Sequence, residues 1–146
     1  MRLPPLVFAL GFAGLLPCFA DPIWLLLSPT SAPAWLDAAW LSYVALVAAF
    51  MAGTFWGFSA PAAQGRDGKI GLLIASAFVL ASWISLLLPF EAAVIALTII
   101  YAMQLAAEVW RERALDTIPG YFPLRLQLTI GAVVALLLRF SLSWKN

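Results

Sequence analysis

Hydrophobic positions along this chain run in five long blocks, roughly residues 4–27, 35–60, 70–88, 90–110 and 123–144, and nearly every charge falls between them. Each block is about 20 residues, the length an α-helix needs to cross ~30 Å of hydrocarbon. None alternates apolar and polar residues as the ~10-residue segments of a membrane β-barrel do. Without water, a spanning segment must satisfy its own backbone groups, which leaves helices. The pattern predicts an all-α fold: an integral membrane bundle of five transmembrane helices, one domain over residues 1–146. Short joins leave no soluble module.

Small residues and breakers punctuate the blocks. In the first, Pro17 lacks an N–H and crowds the preceding turn, so a kink is expected around Gly14 and Pro17. Met1-Arg2, the apolar run and Cys18-Phe19-Ala20 also resemble a secretory signal with an Ala cleavage site. The run continues through Ile23-Trp24-Leu25-Leu26-Leu27, however, and Pro17 stands where lipoprotein processing at Cys18 wants a small residue. The block therefore reads as a retained first span. In the second block Ala45, Ala49, Gly53 and Gly57 recur every four residues, with Trp56 beside them. Ala77, Ala81 and Ser85 do the same in the third block, and Gly131 and Ala135 in the fifth. Such ridges let helices approach closely in lipid. They pack inside the bundle or receive a partner protein.

Charge in the joins sets an orientation. Arg2, Arg66, Lys69, Arg111, Arg113 and Arg125 fall on one side, and only Arg139 and Lys145 on the other. The positive-inside rule puts the N-terminus in the cytoplasm and the C-terminus outside. Asp21, Asp37 and Glu91 mark the outer side. Trp24, Trp35, Trp40, Trp83 and Trp144 fall near outer boundaries, and Trp56 and Trp110 near inner ones, as expected of interfacial anchors. With no Arg/Ser-rich transit peptide, the localisation expected is a bacterial inner membrane, multi-pass.

Composition narrows the chemistry. The 146 residues include eight Lys/Arg, seven Asp/Glu, one Cys and no His, with 64% hydrophobic residues. A formal net charge of +1 offers no basic stripe for nucleic acid. One cysteine forms no internal disulfide or Cys-based metal cluster. Without His there is no bis-imidazole haem, His-dependent zinc site or imidazole acid–base step. No cofactor is expected.

The polar residues inside the spans are few. Thr98, Tyr101, Glu108 and Glu112 share a face of the fourth block, with Gln104 one turn before Glu108. Arg125 enters the fifth block at similar depth, so Glu108 or Glu112 is expected to pair with it bidentately. Arg139 lies 14 residues later, on the same face and ~21 Å along the axis. There Asp21, Asp37 or Glu91 can meet it, or it snorkels. Two structural ion pairs, one at each end of a hairpin, explain these charges. A proton or anion path does not, because Leu128, Thr129, Ala132 and Leu136 between the arginines carry nothing ionisable.

Tyr43 followed by Phe50-Met51-Ala52-Gly53-Thr54-Phe55-Trp56-Gly57 resembles the Y…F-x-G-G-x-x-W-G segment of the transmembrane-protein-69-like family. Gly14-Leu15-Leu16-Pro17 resembles its first-span motif. The run from Pro119 to Thr129, including Leu124-Arg125, resembles its P-x-W-Y-x-x-L-R-x-x-L-T segment. Phe55 departs from a polar or basic position, Ala52 from a glycine, and Tyr121-Phe122 from Trp-Tyr. The resemblance implies a five-helix inner-membrane fold and no established activity. It marks Trp56, Gly57, Pro119, Arg125 and Thr129.

Three functions remain in play. A non-catalytic accessory subunit or assembly factor of a larger energy-converting complex, respiratory or photosynthetic, suits the small-residue ridges; its partners are membrane lipids and other integral membrane proteins. A small transporter or channel needs an internal repeat or an oligomer, and no repeat is visible. A lipid- or quinone-handling protein using Tyr101, Glu108 and Arg125 is the third.

Overall fold

The computed structural model describes the backbone of residues 3–145 and the side chains of residues 3–144. Arg2 and the Lys145 side chain, two cations of the charge bias, lie outside the described residues. The helices are α1 (Pro5–Leu15), α2 (Ala20–Leu27), α3 (Leu36–Ser59), α4 (Arg66–Ser85), α5 (Phe90–Ala114) and α6 (Tyr121–Lys145). A 3-10 turn, Leu16–Phe19, joins α1 to α2, and another, Ala60–Ala62, prolongs α3. No strand occurs among the described residues. Five helical runs are long and apolar enough to cross a membrane: Pro5–Leu27, Leu36–Ala62, Arg66–Ser85, Phe90–Ala114 and Tyr121–Trp144. Their length and composition suggest a multi-pass membrane protein.

Helix ends follow local chemistry. Gly65 is extended before α4, and Asp67 lies in the first turn, where a carboxylate favours the positive end of the helix dipole. Pro89 precedes α5, which opens with Glu91 and closes with Arg111 and Arg113. Gly120, at φ 87°, supplies the left-handed residue that turns the chain into α6. Charged termini extend the helices beyond the apolar blocks, so α4 starts at Arg66 and α5 runs on to Ala114.

α3 is the centre. Val44, Ala48 and Ala52 are fully buried, and Val44 and Ala48 share a core cluster with Leu97 and Tyr101 of α5 and Ala132 and Leu136 of α6. The buried positions on α4 are Gly68, Gly71, Ala75, Ser82 and Ser85. Their spacings of three, four, seven and three fit the 3.5-residue repeat of left-handed helix packing. The expected i, i+4 ridges therefore hold only in part. Ala77 is exposed on α4, and the close approach to α3 is made by Gly68 and Gly71 against Ala62 and Ser59.

The interruption expected at Gly14 and Pro17 is the 3-10 turn, and α3 answers it. In such a turn Gly14 O would accept from residue 17, but Pro17 has no N–H. The Tyr43 hydroxyl donates to Gly14 O at 2.7 Å. The Trp40 indole donates to Cys18 O at 2.6 Å. Trp40 is thus no interfacial anchor: it is 3% exposed, a buried donor that repairs a broken helix. Trp24, Trp35, Trp56, Trp83 and Trp144 are exposed, and Trp110 stacks on Phe55.

Candidate functional site

One face of α3 offers its backbone to neighbouring side chains. Tyr101 Oη donates to Val44 O at 2.7 Å, Gln104 Nε2 to Ala48 O at 2.9 Å, and Arg125 Nη1 to Met51 O at 3.0 Å. Each carbonyl has a second lone pair beyond its helical bond. Ala45, Ala48 and Ala52 keep the surface low enough for these side chains to reach it.

Arg125 is held entirely by neutral groups. Its Nη2 donates to Gln104 Oε1 at 3.0 Å, and Nη1 also donates to Thr54 Oγ1 at 3.2 Å. Thr54 gives its proton to Met51 O at 2.7 Å, so the Tyr121 hydroxyl, 2.8 Å away, donates to Thr54. Arg125 is 3% exposed, and its Nε is buried without a hydrogen-bond partner. The expected bridge to Glu108 or Glu112 is not made, and among the described residues no carboxylate pairs with Arg125.

Both carboxylates turn instead to Arg111. Its Nε lies 2.8 Å from Glu108 Oε2 and its Nη2 3.1 Å from Glu112 Oε2. The guanidinium also sits over the Phe58 ring at 4.2 Å. An arginine one turn away on the same helix meets a carboxylate without any tertiary arrangement, whereas Arg125 must bring a second helix into register.

At the other end of the bundle Arg139 meets the expected acids. Its Nε lies 3.2 Å from Asp21 Oδ1 and its Nη2 2.9 Å from Asp37 Oδ1, with the Phe90 ring 4.6 Å from its Cζ. Asp21 is fully buried, inside the first helical run rather than in a join. Glu91 is exposed and takes no part. Between the arginines, Thr129 is 2% exposed and Ala132 and Leu136 are fully buried, so the described face carries no continuous polar track.

A cavity of about 480 Å³ opens between α1, α3 and α6, with Arg125, Thr54 and Tyr121 at one end. Leu10, Val47, Phe50 and Leu128 line its apolar flank. Along α3, the second-block ridge divides. Ala45 is buried and Ala49 half-buried, but Gly53, Trp56 and Gly57 are exposed. A Cβ at Gly53 or Gly57 would find nothing within 4 Å. Gly53 and Trp56 edge a second hollow, about 410 Å³, completed by Ala75, Val79 and Leu80 of α4.

Residues 3–141 match the model of a family described as a protein of unknown function, DUF3429. The chain belongs to that family. The match covers every element from α1 to most of α6. No curated protein and no solved structure matches the chain.

Several residues at these sites carry no strong sequence signal. Arg111 reads as a join charge because the apolar block ends at residue 110. Its spacing of three from Glu108 is the signal that finds it. Trp40, 22 residues from the carbonyl it serves, has none, and Tyr43, 29 residues from its own, is marked only by the motif it opens. Thr54 lies in a motif but looks like an ordinary span threonine.

Proposed function

We propose that this protein is a non-catalytic, multi-pass accessory subunit or assembly factor of a larger energy-converting membrane complex. The observation that carries this reading is the open half of the α3 ridge. Glycine in a helix interior is about 1 kcal/mol less favourable than alanine. Gly53 and Gly57 do not offset that loss by close packing within the chain, since nothing lies within 4 Å of their missing Cβ positions. A glycine face beside exposed Trp56 suits the close approach of a transmembrane helix from another integral membrane protein. The bacterial inner membrane, with the N-terminus cytoplasmic, belongs to the proposal through the charge bias of the joins. So does the likeness to the transmembrane-protein-69-like family, which rests on motif residues alone.

Purification of tagged protein from its native membrane in mild detergent tests the reading. Wild type is expected to run in a complex of defined stoichiometry. Gly53→Leu/Gly57→Leu is expected to lose the partner while keeping its thermal midpoint within a few degrees. A wild-type protein that runs as a lone monomer, or a variant that keeps its partner, would sink the idea.

A further inference from the structure

The cavity between α1, α3 and α6 joins two features that call for a ligand. The first is charge. Arg125 is 3% exposed, its partners are two carbonyl oxygens and a hydroxyl, and its Nε–H is unpaired. Buried charges are ordinarily paired, and an unsatisfied buried donor is unusual in a folded interior. Arg111 already engages Glu108 and Glu112, so no carboxylate of that cluster is directed to Arg125. The second is shape. About 480 Å³ falls within the ~300–1,000 Å³ typical of small-molecule sites. At one end the Tyr121 and Thr54 hydroxyls flank the guanidinium, and at the other the Tyr43 hydroxyl is already engaged with Gly14 O. From Thr54 the flank passes Phe50 and Val47 to Tyr43, about 16 Å along α3 at the helical rise.

Depth agrees with both. Arg125 stands four residues into α6, about 6 Å from its start, at the end of the bundle that also carries Arg111. A headgroup lies near that level when its chain runs inward. α1, which walls the cavity on that side, buries none of its residues.

We propose that this cavity binds an anionic amphiphile, with its oxyanion head on Arg125 and its acyl chain along Phe50, Val47 and Leu10. A carboxylate or phosphate beside the guanidinium neutralises a charge that the fold leaves uncompensated. The Tyr121 hydroxyl stands beside the same head. This site lies beside the Gly53–Gly57 face on α3, since Phe50 stands three and seven residues before those glycines, and it does not depend on the accessory-subunit reading.

The test uses delipidated full-length protein in neutral detergent. The probe is cis-parinaric acid, a fluorescent fatty acid, compared with its methyl ester. Wild type is expected to bind the acid at least tenfold more tightly than the ester. Arg125→Gln is expected to abolish that preference, and Val47→Trp, which fills the apolar flank, to abolish binding of both. Displacement by oleate alone identifies a free fatty acid as the ligand, and displacement by dioleoyl phosphatidic acid identifies a phospholipid. Equal binding of acid and ester to wild type overturns the proposal, as does undiminished acid binding by Val47→Trp. The wild-type comparison needs no variant, so a misfolded Arg125→Gln leaves the test intact.

Discussion

Arg111 is fully buried, bridges Glu108 and Glu112, and lies over the neighbouring Phe58 and Tyr121 rings at 4.2 and 5.2 Å. A planar guanidinium can do all of this at once, and a lysine ammonium cannot. Removing one member of a buried ion pair typically costs ~3–5 kcal/mol, because the other is stranded; replacing both with apolar groups is often nearly neutral. Arg111→Met is therefore expected to lose about 3 kcal/mol or more, and Glu108→Met/Arg111→Met to recover most of it. Denaturation by SDS in mixed micelles, followed by tryptophan fluorescence, measures both. Equal losses in single and double variants would show that the pair is not the source. At this scale the sequence identified the interior carboxylate but not its partner. Burial of Glu108 follows from its place on the α5 face that carries Leu97, Tyr101 and Gln104, whereas the length of α5 beyond residue 110 decides which arginine reaches it.

The α3–α4 hairpin separates glycines that serve packing from glycines that do not. A Cβ at Gly68 would overlap the Ala62 backbone, and one at Gly71 the Ser59 side chain, while Gly53 faces open space. Helix propensity alone favours Gly→Ala by about 1 kcal/mol. Overpacking opposes it, typically by ~1–3 kcal/mol. Gly68→Ala is expected to lower the thermal midpoint of the detergent-solubilised protein, because backbone cannot move aside. Gly53→Ala is expected to leave it unchanged or raise it. If the two shift together, the close approach at Ala62 is not what holds the hairpin. Number and order of helices were legible in the blocks, since hydrocarbon thickness dictates their length. The packing face was not. Fours picked out Ala77 and Ala81, but supercoiled packing follows a 3.5-residue repeat, which turns Gly68, Gly71, Ala75, Ser82 and Ser85 inward. An i+4 ridge drifts off such a face within a few turns, as the α3 ridge does between Ala49 and Gly53.

Across the whole molecule, the first span is the least integrated part, and a few polar ties at its outer half hold it. α1 buries no residue, yet Cys18 and Asp21 just beyond it are fully buried. Trp40 holds Cys18 O, Tyr43 holds Gly14 O, and Arg139 of α6 meets Asp21. Arg139 also joins Asp37 of α3, so one guanidinium links three helices. The sequence anticipated this cluster, because Arg139 and the acids fall at the same end of their spans. It did not anticipate that Asp21 is buried within a helix. Removing Arg139 leaves two carboxylates side by side, one of them without solvent. The structure need not unfold to relieve them. With so little apolar surface holding α1, local release of the first span is the cheaper route. Cys18 reports on that release, since it is the chain's one cysteine and is 0% exposed. Arg139→Met is expected to raise its maleimide labelling rate at least tenfold under native conditions, with the thermal midpoint of the remaining bundle little changed. Asp21→Asn added to Arg139→Met removes the stranded buried charge and is expected to slow labelling again. Labelling that stays slow in Arg139→Met, or that rises only as the whole protein melts, would show that the first span is held by something other than this cluster.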